Sequence, residues 1–77
     1  MRNIKEIMAE ITDAMIKVKA HPMCAKFVIE GGYYIVYYPP GMHPNGARVS
    51  KAMGSARALQ RLLEVMERHW YENGINP

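Results

Sequence analysis

Two adjacent glycines, Gly31 and Gly32, separate the β-rich segments AKFVIE (25–30) and YYIVYY (33–38). A two-residue glycine connection between such segments is a strong hairpin signal, because the tight turns that match strand twist need positive φ at their central positions. A loop of that length also sets the register. Glu30 is expected to face Tyr33, Ile29 to face Tyr34, Val28 to face Ile35, Phe27 to face Val36, Lys26 to face Tyr37, and Ala25 to face Tyr38. Side chains alternate along a strand, so Ala25, Phe27, Ile29, Tyr34, Val36 and Tyr38 share one side, which reads as core. Lys26, Val28, Glu30, Tyr33, Ile35 and Tyr37 share the other.

Before the hairpin, Ile4, Ile7, Met8, Ile11, Met15 and Val18 recur at three-and-four spacing and predict a helix over about residues 3–19. Asn3 and Glu6 have the spacing of a cap with a reciprocal carboxylate, and His21 with Pro22 ends the run. After the hairpin, PPGMHPNG reads as a long turn reversed by Asn45 and Gly46. Residues 47–53, ARVSKAM, predict a third strand, with a helix start at Ser50 as the competing choice. Gly54 and Ser55 supply a break and a cap for a last helix, whose stripe is Leu59, Leu62, Leu63, Met66 and Trp70 and whose end falls near Glu72, before Gly74.

The 77 residues leave room for one α+β domain spanning 1–77, in the order αβββα. Both helices must bury a stripe, so both are expected on one face of a three-stranded antiparallel sheet, giving two layers and leaving the other face open. The element order is similar to that of double-stranded RNA-binding domains, and Ser50 and Lys51 fall near the last helix as a basic residue does there. The run of lysines that opens the last helix of that family is absent, and the hairpin here is tighter. Element order alone assigns no function.

Cys24 is the only cysteine, no secretory leader pattern is present, and no apolar run approaches the ~18 residues of a membrane span. A cytoplasmic chain with no membrane partner is expected. The formal charge is +3, and the stretch from Lys17 to Arg61 is locally basic, with Glu30 as its one acid. His21 and Cys24 have the separation of half a metal site, but His43 and His69 stand alone rather than as a second pair. Cys24 with a histidine lacks an orienting third group, Glu64 is flanked by Arg61 and Arg68 as a solvated intrahelical ion pair, and no phosphate-cradling loop occurs. Met8, Met15 and Met66 read as core filling. No catalytic residue, metal or cofactor is therefore expected.

The open face then carries the functional expectation. On the first reading, Lys26, Val28, Tyr33, Ile35, Tyr37 and Arg48 bind a protein, with Val28 and Ile35 as anchors. The chain would be a small inhibitor or adaptor of the phage or mobile-element kind, anti-CRISPR-like, acting on a larger nucleic-acid-handling complex. The alternative is a nucleic-acid-binding module in which Tyr33 and Tyr37 stack on bases while Lys26, Arg48, Lys51, Arg57 and Arg61 contact phosphates. A charge of +3 is weak for that task, and Val28, Ile35 and Glu30 suit a phosphate groove poorly, which favours the first. A third account makes the tyrosines strand formers under a cover supplied by the first helix or by a second copy in a homodimer.

Overall fold

The computed structural model describes residues 3–74. It contains helix α1 (Ile4–Ala20), strands β1 (Lys26–Glu30), β2 (Tyr33–Tyr37) and β3 (Gly46–Ser50), a single 3-10 turn over Lys51–Met53, and helix α2 (Ser55–Glu72). The strands form one antiparallel sheet in the order β1-β2-β3, and the hairpin adopts the expected register from Lys26↔Tyr37 to Glu30↔Tyr33. Gly31 and Gly32 take φ of 58° and 80°, a backbone region that glycine enters without the penalty most side chains meet. Ala25 departs from the expectation. Its N–H donates to the Tyr37 carbonyl, so it lies just outside the paired segment.

Local chemistry sets the helix ends. The Asn3 side chain accepts from the Glu6 N–H at 2.9 Å, while Lys17 and Lys19 sit in the last turn of α1, where the helix dipole favours cations. The α2 start differs from the sequence reading: Ser55 is the first helical residue, and Gly54 stands at the cap without a side-chain bond. Ser50 does the capping instead. Its hydroxyl accepts from the Ala52 N–H and opens the 3-10 turn, so the third strand stops at Ser50 rather than reaching Met53. The Lys51 N–H meanwhile donates to the Gly32 carbonyl and ties this junction back to the hairpin turn.

The core lies between α2 and one side of β2 and β3. Leu59, Leu62 and Met66 of α2 are fully buried against Tyr34, Val36, Tyr38 and Val49, with Ala14 and Val18 of α1 and Met23 of the following loop closing the end. Phe27 stacks on Tyr34 with ring centroids 6.0 Å apart. Three parts of the expected core are not covered, the first being Ala25, which is exposed beyond the end of the paired segment. Ile29 is 49% exposed because the helices shield β2 and β3 better than the edge strand β1. Ile4, Ile7 and Met8 are exposed as well, since α1 meets the core only from Ile11 onwards, and Met8 therefore fills no core.

Asn45 and Gly46 likewise do not form the turn alone. Gly46 is the first residue of β3, opposite Tyr37, and the Asn45 carbonyl accepts from the Tyr38 N–H. A Cβ at Gly46 would run into the Val36 carbonyl oxygen. Close backbone approach, not a positive φ, is what requires glycine there.

Leu62→Ala should cost about 3 kcal/mol in urea unfolding, as for a buried leucine truncated in a packed core. Met8→Ala should cost less than about 0.5 kcal/mol, as for an exposed site. Equal losses at the two positions would show that the first turns of α1 are covered in solution.

Candidate partner-binding face

The side of the sheet away from the helices forms a grid of three rows. Pairing across β1, β2 and β3 sets Lys26, Tyr37 and Gly46 in one row, Val28, Ile35 and Arg48 in the next, and Glu30, Tyr33 and Ser50 in the third. No residue of this grid is buried, and Tyr37 is 45% exposed. The parity imposed by the hairpin thus sends Tyr34 and Tyr38 into the core and Tyr33 and Tyr37 out of it. Neither helix of the same chain covers the outward pair.

The Arg48 guanidinium lies over the Tyr33 ring, 4.8 Å from its centroid. By leaning towards the third row it leaves the first row uncovered, and Gly46 contributes no side chain there. The result is a shallow groove between β2 and β3, bordered by Ile35, Tyr37, Asn45, Gly46 and Arg48. Asn45 and Gly46 were missed as part of this face because an Asn-Gly pair reads as turn chemistry.

The other basic candidates lie elsewhere. Lys51 follows β3 with its ammonium 5.5 Å from the centroid of buried Tyr34, placing it on the helix side of the sheet. Arg57 and Arg61 are exposed on α2, and Arg61 pairs with Glu64 at 3.3 Å. The proposed phosphate-contacting set is therefore split between two layers. Only Lys26 and Arg48 share the aromatic face.

Two of the histidines singled out in the sequence, His21 and His69, are held in side-chain hydrogen bonds. The His21 ring is buried where α1 ends; its Nδ1 accepts from the Met23 N–H at 3.1 Å, which leaves the proton on Nε2, donated to Glu67 Oε1 at 3.0 Å. With both nitrogens engaged and Trp70 packed edge-on at 5.1 Å, this histidine pins α1 to α2. Cys24 is half-buried, and burial pushes its thiol above the usual range, with Lys19 partly opposing. A raised pKa means less thiolate, the opposite of what a nucleophile needs. Among the described residues no three of His, Cys, Asp or Glu gather in a metal-binding group.

Tyr38 is the second buried polar junction. Its hydroxyl and His69 Nδ1 share a hydrogen bond of 2.6 Å, and burial raises its pKa to about 12. Close by, the Asn73 side chain at the end of α2 accepts from the His43 N–H at 3.3 Å and donates to the His43 and His69 carbonyls at 3.4 and 2.7 Å. These bonds moor the long β2–β3 loop to the last helix, and with it the Asn45–Gly46 border of the groove.

No protein-family model, curated protein or solved structure matches this chain. Among the described residues no helix is long and apolar enough to cross a membrane.

The Tyr38 phenol gives a pH test. Its folded pKa lies above the value of about 10 expected unfolded, so its contribution to stability is whole below pH 10 and is lost as pH rises through about 12. In an ultraviolet titration, the wild-type curve minus that of Tyr38→Phe should leave one phenolate step centred near 12. A step near 10 would mean that Tyr38 is hydrated.

Proposed function

We propose that this chain is a non-enzymatic protein-binding module whose open sheet face docks on a macromolecular partner, in the manner of a small inhibitor or adaptor. One observation carries the reading: an aromatic and aliphatic column, Tyr37, Ile35 and Tyr33, runs down the central strand with no cover from either helix. Tyrosine and arginine are enriched at interface hot spots, and a rigid sheet presents them at little cost in ordering. Val28 and Ile35 supply the apolar ground between them.

Nucleic acid is the weaker reading. Binding along a phosphate backbone gains from each cation laid on the track. Here Lys51, Arg57 and Arg61 lie in the helix layer, and Glu30 stands on the face itself. A larger nucleic-acid-handling complex remains a partner class that such a module could address through protein contacts.

Replacing Tyr33 and Tyr37 together by Ala should leave the far-ultraviolet circular dichroism unchanged and lower the unfolding midpoint only slightly. In pull-downs from lysate at two salt concentrations, with and without nuclease, the wild type should retain a discrete protein that survives nuclease and is lost with the double variant. Recovery of nucleic acid that is lost at high salt would favour direct phosphate binding. Gross unfolding of the variant would show that the face is core.

A further inference from the structure

The outer edge of β1 carries backbone groups with no partner among the described residues. Which groups these are follows from β2. The Tyr38 N–H donates to the Asn45 carbonyl and the Gly32 carbonyl accepts from the Lys51 N–H, so even-numbered residues of that strand bond towards β3 and odd-numbered ones towards β1. The bond from the Ala25 N–H to the Tyr37 carbonyl agrees. Lys26, Val28 and Glu30, opposite Tyr37, Ile35 and Tyr33, therefore spend their backbone groups on β2, and Phe27 and Ile29 direct theirs to the open edge. Ile29 also leaves its side chain exposed there.

A free edge strand is usually blunted by proline, a bulge or an unanswered charge. The segment KFVIE has no proline, and its two charges answer each other when it is read backwards. Laid antiparallel on a second copy about Val28, it sets Lys26 of each copy opposite Glu30 of the other, Phe27 opposite Ile29, and Val28 opposite Val28. The register that pairs the charges also pairs the free backbone groups. Phe27 and Ile29 meet as hydrogen-bonded pairs, each exchanging both N–H···O bonds, and Val28 forms the closer non-hydrogen-bonded pair on the twofold axis. Within one copy Lys26 and Glu30 have no ion pair: Arg48 leans towards the Glu30 row but lies over the Tyr33 ring, and the ion pairs among the described residues join Asp13 to Lys17, Glu67 to His21 and Glu64 to Arg61. The β3 edge offers no such match. In its own full antiparallel register it would set Arg48 against Arg48, and like charges directly opposite are destabilising.

From this geometry we infer that the chain forms a twofold dimer in which the β1 edges of two copies pair antiparallel about Val28, making one six-stranded sheet. The inference goes beyond the docking-face reading and does not rest on it. The axis stands perpendicular to the sheet, so the helices of both copies lie on one side and both open faces on the other. A five-residue edge is a small interface, and the association is accordingly weak and concentration-dependent.

Sedimentation equilibrium on the full chain, from micromolar to millimolar concentration, should show the mass climbing from 8.8 kDa towards twice that value. Lys26→Glu and Glu30→Lys should each weaken association roughly tenfold, because each turns two attractive cross-strand pairs into like-charge ones. Combining the two substitutions should restore it. Both side chains are exposed, so the variants keep the fold, which circular dichroism checks. In amide exchange followed by nuclear magnetic resonance, the Phe27 and Ile29 N–H groups should gain protection as concentration rises, while that of Arg48 on the outer edge of β3 does not. A monomer throughout the range would overturn the inference and leave the docking face standing. A dimer indifferent to the charge variants, or not restored by their combination, would overturn it as well. Loss of the dimer on joint Tyr33→Ala and Tyr37→Ala substitution, with the charge variants unaffected, would instead place the second copy on the open face, and loss on Met8→Lys would place it on α1.

Discussion

The geometry of two glycines governs most of what this molecule presents. A turn confined to Gly31 and Gly32 allows one register, and register decides parity, because a slip by a single residue would exchange every inward side chain of the hairpin for an outward one. Parity in turn divides Tyr34, Val36 and Tyr38 from Tyr33, Ile35 and Tyr37. The first set has α2 laid across it; the second set is covered by neither helix. The Lys51 N–H returns to the Gly32 carbonyl, so the same turn also fixes where β3 ends and where the last helix can begin.

Much of the fold was legible in the sequence for that reason. Strong, local signals translated directly: the Asn3 cap, the apolar spacing of α2, the paired glycines and the stop near Glu72. What failed were inferences about cover. Periodicity shows that Ile4, Ile7 and Met8 share a helix face with Val18, yet it cannot show that α1 outruns the surface it packs on. Ile29 fails for the same reason at the edge of the sheet. Met23 goes the other way, a loop residue with no periodic neighbours that the end of the core encloses.

The site was partly legible. Alternation placed Lys26, Val28, Tyr33, Ile35 and Tyr37 together, and pairing with β3 added Arg48, all on one face. It could not place Lys51, Arg57 and Arg61, whose side of the molecule depends on which face α2 chooses. The histidines were legible only as residue types. That His21 joins α1 to α2 through Glu67, and that His69 shares a hydrogen bond with the Tyr38 hydroxyl, are long-range facts with no mark in local spacing.

Gly46 has a bearing on how such a face could diversify. The Val36 carbonyl excludes any larger residue at that position, so the floor of the groove is invariant for as long as β3 pairs with β2. Descendants of this chain could change what they recognise only by altering the walls, at Ile35, Tyr37 and Arg48. Those side chains lie on the side of the sheet away from the helices, so recognition can drift there while the residues under α2 stay under packing constraint.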